Sequence, residues 1–282
     1  MKPIRALVVF GLAASIAGGA AQAAGKGPEI ERQTWSFSGI FGQYDQAQLQ
    51  RGFQVYKEVC ASCHGLTKVA FRSLGQPGGP GLTEDQVKEL AASYMIQDGP
   101  NDDGEMFERE GRPSDTFPPN FPNERAARAA HNGAYPLDLS LIAKARGIPH
   151  PEGVVAHVLT MASDIVTGYQ EAGADYLYAL MTGYVDPPEG FELQDGLNYN
   201  AAYPGHQIAM IQPIYDDAVQ YTDGTPQTVS QHSKDVAAFL SWAADPHHDR
   251  RKQMGWIVMI YLLITTALLY VAKKRVWAGV KH

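Results

Sequence analysis

Cys60-Ala61-Ser62-Cys63-His64 decides how this chain is read, and Cys60 and Cys63 are its only cysteines. A Cys-x-x-Cys-His run is the attachment signal of a c-type haem. The two thiols add across the haem vinyl groups as thioethers. The two-residue spacer holds them on one turn of backbone, and His64 then lies under the iron as proximal ligand. Other uses of Cys-x-x-Cys fit less well. A thioredoxin-like redox pair follows a strand, whereas a helical stretch precedes Cys60. A structural zinc site needs a second Cys or Cys/His pair, which the chain lacks.

Working outward, the chain reads as exported and then anchored. Lys2 and Arg5 precede an apolar run from Ala6 to Ala17, and small residues end at Ala21-Gln22-Ala23. That pattern is a secretory signal peptide with an Ala-x-Ala cleavage site, so residues 1–23 are expected to be removed and the mature chain to start at Ala24. Haem is attached to c-type apoproteins outside the cytoplasm, so signal and motif support each other. A second apolar run, Met254 to Ala272, carries no charge. At 1.5 Å per residue it spans roughly 28 Å, close to the hydrocarbon thickness of a bilayer. Arg250, Arg251 and Lys252 flank it on one side, and Lys273, Lys274, Arg275 and Lys281 on the other. Trp256, Tyr261, Tyr270 and Trp277 suit interfacial positions. The expected organisation is a periplasmic monohaem domain over residues 24–250, then a transmembrane anchor and short cytoplasmic tail over residues 251–282. The chain would cross the cell inner membrane once.

Composition bounds the partners. The formal net charge is −7, and removal of Lys2 and Arg5 with the signal peptide leaves about −9. Nucleic acid is not expected as a partner. A basic protein partner fits, because opposite charge steers encounter, and the same charge would equally serve to keep the head soluble.

Caps and periodicity predict a mainly α head. Asp45 caps a helix through Val59, with Leu49, Phe53, Tyr56 and Val59 on one side, leading into the haem motif. Thr83-Glu84-Asp85-Gln86 is a capping box, opening a helix that stops by Asp98 ahead of Gly99-Pro100. Asn123 caps a short helix ending near Asn132-Gly133. Leu139–Arg146 and Asp175–Met181 read as two more, closed by Gly147 and Gly183. Ser230 or Ser233 opens a last soluble helix that stops before Pro246. Long loops lie between, over 101–123 and 185–213, and such loops usually serve a function or wrap something. The fold class is therefore a c-type cytochrome core with long loops and insertions, plus one C-terminal transmembrane helix.

Several side chains compete for the sixth iron position. Met181 shares helical spacing with Leu177 and Leu180 and reads as core. Met95 ends the second helix in an apolar setting, Met106 lies among acidic residues, and Met161 follows Val158 and Leu159 and reads as packing. Met210 differs: it lies in a nonhelical segment ending at Pro213, long after the haem motif, where a loop can approach the iron from the far face. His206 is a weaker candidate.

The segment Arg51-Gly52-Phe53-Gln54-Val55-Tyr56 through His64 resembles the haem segment of the cytochrome c1 family, haem subunits of the cytochrome bc1 complex. The likeness continues in Phe121-Pro122-Asn123, Asn132-Gly133-Ala134 and Asp138-Leu139-Ser140. Asp175-Tyr176, Leu180-Met181-Thr182-Gly183-Tyr184 and Tyr203-Pro204-Gly205 extend it, as do Pro213-Ile214-Tyr215 and Trp242-Ala243-Ala244. It implies one covalent haem c on Cys60 and Cys63, with His64 and Met210 as axial metal ligands. Arg146 matches the arginine that meets a haem propionate, and Tyr176 and Asn132 match residues lining the pocket. Pro136 matches one of two adjacent prolines near the haem; the second is Leu137 here. The implied task is one-electron transfer from a Rieske iron–sulfur protein to a cytochrome c, beside cytochrome b, in a dimeric membrane complex with quinol–cytochrome c reductase activity. The acidic stretch Asp98 to Asp115 reads either as a docking surface for a basic cytochrome c or as a solvated loop. Residues 147–170 look like a bacterial-type insertion. With no cysteines to brace it, packing of Val154 to Val166 is expected to hold it. Two readings stand beside this one: an anchored monohaem subunit of another oxidase or dehydrogenase, and a haem-based sensor with an open sixth position.

Overall fold

The computed structural model describes Pro28, residues 30–149 and residues 153–279. The expected signal peptide, the start at Ala24 and the flanking Lys281 lie outside the described residues.

Helix α1, Gln46–Val55, starts where Asp45 Oδ1 accepts from the Ala47 amide at 3.0 Å. It runs on as a single π turn, Tyr56–Cys60, so the first thiol sits at the end of a rigid element. A 3-10 turn, Phe71–Gly75, precedes α2, Glu84–Ala92. The Thr83/Gln86 capping box opens α2 as expected. Its end differs. The Ser93 hydroxyl donates to the Leu90 carbonyl at 2.6 Å and closes the helix, and Met95–Asp98 forms strand β1 instead of continuing it. β1 pairs antiparallel with β2, Phe107–Glu110, in the register Ile96↔Arg109. Met95 is therefore a half-exposed strand residue, not the apolar end of a helix.

Helix α3, Glu124–Ala130, is capped by Asn123 as expected and closed by Asn132 and Gly133, both at positive φ. Helix α4, Ile142–Ala145, is shorter than the expected Leu139–Arg146. The reason is local: Leu141 has φ −122 and ψ 10, outside the helical region, so the helix opens only at Ile142. Then come α5, Val154–Thr167, and α6, Ala172–Thr182. The hairpin β3, Asn198–Tyr199, with β4, Gln207–Ile208, lies inside the second long loop. Helix α7, Val229–Ala244, is capped by Thr228, whose hydroxyl accepts from the Gln231 amide, and not by Ser230 or Ser233. Ser233 is buried within the helix. Helix α8, His248–Trp277, completes a mainly α architecture.

The core lies where α7 packs on α1, α4 and α6. Glycines permit the closest approaches. A Cβ on Gly52 would stand 2.1 Å from the Asp235 carbonyl oxygen, and one on Gly173 would stand 1.8 Å from that of Ala143. Phe53, Tyr56, Phe71, Phe117, Phe239 and Trp242 fill the interior as ring pairs with centroids 4.4–6.3 Å apart. Each fully buried ring adds about 1.5–3 kcal/mol relative to leaving it in water. Two buried carboxylates are satisfied. Asp235 accepts from Arg51 at 2.9 Å, from Gln231 at 2.9 Å and from Gln48 at 3.2 Å. Asp175 accepts from the Trp35 indole at 2.7 Å and the Gln33 amide at 2.9 Å.

The insertion corrects one expectation. Val154 to Val166 do not pack inward; no residue of α5 is buried, and Met161 is 47% exposed. Helix α8 begins inside the head, where His248 is buried. The Lys252 ammonium donates to the carbonyls of Phe37 at 2.8 Å and Gly39 at 2.5 Å, and Phe41 stacks on Trp256 at 5.1 Å. Beyond that collar α8 has an apolar stretch of mean hydropathy 2.1 with none of it buried. Among the described residues it is the one helix long and apolar enough to cross a membrane.

Candidate haem site

Cys60 closes the π turn, and its carbonyl accepts from the amides of Cys63 at 3.1 Å and His64 at 2.9 Å. This tight turn brings both thiols and the imidazole to one end of α1. Both thiols are free and half-buried. Burial, reinforced by the neighbouring Cys63, pushes the Cys60 thiol up to about 12. Further bonds fix the turn: the Tyr56 hydroxyl donates to the His64 carbonyl at 2.9 Å, and Asn120 Nδ2 donates to the Ala61 carbonyl.

The His64 tautomer follows from its partner. Nδ1 lies 2.7 Å from the Leu137 carbonyl, which can only accept, so Nδ1 carries the proton and Nε2 keeps its lone pair. Burial lowers the His64 pKa; the Leu137 bond opposes this and His131 reinforces it. A neutral imidazole with Nε2 available is what an iron ligand needs.

Residues 137–140 form a clamp on the chain after His64. Asp138 Oδ2 accepts from the Thr67 amide at 2.8 Å and Oδ1 from the Ser140 amide at 2.9 Å. The Ser140 hydroxyl accepts from the Lys68 amide at 3.0 Å, and the Leu139 amide donates to the Gly65 carbonyl at 2.9 Å. Burial alone would raise the Asp138 carboxyl, but the bonds from Ser140 and Thr67 outweigh it and hold it below the usual range.

The Met210 side is built on the second hairpin. Asn200 is fully buried; its Nδ2 donates to the Leu180 carbonyl at 2.8 Å, and its Oδ1 accepts from the Ala202 and Tyr203 amides. The hairpin returns the chain to Met210, whose carbonyl accepts from the Tyr184 hydroxyl at 3.1 Å and Asn198 Nδ2 at 3.3 Å. Met210, Cys60 and Tyr184 all border the hydrophobic core. His206, the other candidate ligand, stacks on Tyr199 at 5.5 Å, with Nδ1 3.3 Å from the Asn200 carbonyl.

Tyr176 is buried on α6. Burial raises its hydroxyl pKa, Tyr203 adds to this, and the Arg146 charge opposes it, so Arg146 and Tyr203 lie within electrostatic reach of Tyr176. Arg146 is exposed at the end of α4; Nη1 donates to the Ala145 carbonyl at 3.3 Å, which uses one of five donors. Asn132 is exposed at the end of α3, and Pro136 is half-buried beside the His64 clamp. His131, within electrostatic reach of His64, is edge-on to Phe121 at 5.3 Å, with its Nε2 buried and unpartnered.

This donor set fits a c-type haem: two thiols on one turn, an imidazole in the ligating tautomer, a thioether on an ordered loop, and a buried orphan nitrogen beside them. Sequence reasoning missed the roles of Leu137, Tyr56, Asn120, Asn198 and Asn200. The Asp138-x-Ser140 pattern was the visible signal of the clamp, since such side chains cap their own following backbone.

The profile of the Cytochrome C1 family matches residues 35–280. The chain is 50% identical over 279 residues to cytochrome c1 of Blastochloris viridis, covering 97% of this chain and 94% of that one. It is 42% identical over 294 residues to cytochrome c1 of Rhodospirillum rubrum, covering 99% and 98%. It is also 51% identical over 245 residues to cytochrome b/c1 of Bradyrhizobium diazoefficiens, covering 86% of this chain and 35% of that longer protein.

Proposed function

The chain belongs to the cytochrome C1 family, and from that premise we propose that it is the membrane-anchored haem subunit of a bc1 complex, passing single electrons from the Rieske iron–sulfur protein to a cytochrome c. One haem c would be held by thioethers to Cys60 and Cys63, with His64 and Met210 supplying the iron ligands. Cytochrome b and the Rieske protein are its neighbours in a dimeric quinol–cytochrome c reductase. The head stands in the periplasm, and α8 crosses the inner membrane once with its end in the cytoplasm.

The observation that carries the reading is the His64 Nδ1 bond to the Leu137 carbonyl at 2.7 Å, with the Asp138 clamp behind it. When bound, the haem supplies a one-electron couple; the protein sets its potential and its exposure. The Leu137 bond fixes the imidazole plane and aims Nε2. Tyr184 and Asn198 hold the Met210 backbone, and a methionine ligand raises the potential relative to a second imidazole. Arg146 offers a fork suited to a propionate, with Tyr176, Asn132 and Pro136 as pocket wall. The carboxylates of Asp102, Asp103, Glu105 and Glu108 are exposed on the β1–β2 loop and its return strand, where they suit a basic acceptor. Asp98 and Asp115 of the same stretch are engaged by Arg109.

The test is purification from mild-detergent membranes through a tag after His282, with quinol:cytochrome c reductase assayed on the eluate. Co-elution of a b-type cytochrome and a Rieske centre with inhibitor-sensitive activity is expected. Elution with oxidase or dehydrogenase subunits instead would transfer the chain to another respiratory complex.

A further inference from the structure

Helix α5 is built inside out. Its partly covered positions are Ala156, His157, Thr160 and Asp164, with the cap Gly168, and their three- and four-residue spacing puts them on one face. That face meets the head. Asp164 pairs with Arg32 at 2.9 Å, and a Cβ on Gly168 would lie 3.6 Å from Ile40. The other sides carry Val154, Val155, Val158, Leu159, Ile165 and Val166, which are 56–82% exposed. A helix at a protein–water boundary does the reverse: apolar stripe inward, polar face to solvent. An outward apolar surface facing water would be a large unfavourable area, so its surroundings are less polar than water.

What covers it follows from what it adjoins. Gly39 and Ile40, against which α5 ends, lead directly to Phe41, which is 77% exposed and stacked on Trp256 of α8. The carbonyls of Phe37 and Gly39 bind Lys252 of α8. The segment that α5 abuts is thus the collar of the membrane-crossing helix at the head side of the bilayer. At 1.5 Å per residue α5 is about 21 Å long, too short to cross the hydrocarbon itself. Its exposed apolar residues form one continuous face, opposite the stripe that meets the head. One apolar face on a helix that adjoins the collar of α8 is the pattern of a helix lying in the membrane interface. The geometry points to α5 as an interfacial helix, lying in the headgroup and upper acyl-chain layer beside α8, so that the head rests on the membrane through a second foot. This rests on α8 crossing a bilayer and not on the haem or its electron partners.

The experiment uses the complex purified through the His282 tag, reconstituted in lipid nanodiscs whose phospholipid carries a diazirine in the acyl chain. After photolysis, lipid adducts are mapped by peptide mass spectrometry. Adducts on both α8 and Val154–Val166 are expected. The double variant Val158→Asp, Ile165→Asp should lose the α5 adducts severalfold while α8 adducts and the haem spectrum stay unchanged. Adducts on α8 alone would overturn the proposal, since α5 would then be covered by something other than lipid. Absence of adducts from both helices would overturn the anchor and this proposal together, whatever the haem spectrum shows.

Discussion

Helices α7 and α5 are both apolar and of similar length, yet they face opposite ways. Along α7, Phe239 and Trp242 are all but inaccessible, and its aspartate, Asp235, is fully buried against Arg51. Along α5 no residue is buried, and its aspartate, Asp164, meets an Arg32 that is half-exposed. Each helix is tied to the head by an arginine–aspartate pair. In α7 that pair lies within the apolar packing; in α5 it is the only side facing the protein, and the apolar residues face out. Apolar content says that a segment avoids water. The placement of its polar stripe says whether protein or something else does the covering.

The largest expected difference is in the core. Phe239→Ala should destabilise the head by about 3–5 kcal/mol in denaturant unfolding, because a large cavity opens among packed rings. Val166→Ala in detergent should change it by less than about 0.5 kcal/mol. Comparable losses at the two positions would break the contrast. The ion pairs sharpen it at a smaller scale. Asp235→Ala strands Arg51 at the α1–α7 crossing and should cost about 3 kcal/mol, softened by the remaining bond from Arg51 to Asp223. Arg32→Ala should cost no more than about 1 kcal/mol, since its partner pair is open to solvent. Proteolysis within α5 should nevertheless accelerate, because the helix loses its tie to the head.

The smallest effect is in pH. The bonds from Thr225 first, and then from Arg51, hold the Asp223 carboxyl down at about 2, against an ordinary 3.8. A carboxyl lowered by folding contributes stability that is fully present above 3.8 and is lost as pH falls toward 2. Unfolding midpoints should therefore drop over that window, and Asp223→Asn should flatten part of the drop. An unchanged acid limb in the variant would remove Asp223 from the α1–α7 region's acid sensitivity.

Local chemistry was legible in the sequence. Asp45, the Thr83/Gln86 box and Asn123 each announce a helix start with side chains a few residues apart, and each stands where expected. Cys60 to His64 likewise lies at the exit of a helix. What depends on distant backbone was not legible. The Leu137 carbonyl that sets the His64 tautomer has no side-chain signature. Met95 left the helical pattern because β2, more than ten residues on, offers it a strand partner. Thr228, rather than Ser230 or Ser233, opens α7, where the Val229 amide also donates to the distant Asp216 Oδ1 at 2.7 Å, although all three hydroxyls could cap a helix. The outward turn of α5 escaped for the same reason: the apolar pattern was visible, but the side taken by Asp164 was not.

Potentiometric titration of the purified haem protein, wild type against Met210→Leu, tests the central claim most directly. The haem should remain attached through Cys60 and Cys63 while its midpoint potential falls by on the order of hundreds of millivolts, because the thioether that favours the reduced iron is gone. An unchanged midpoint with the haem intact would contradict a site closed by His64 and Met210.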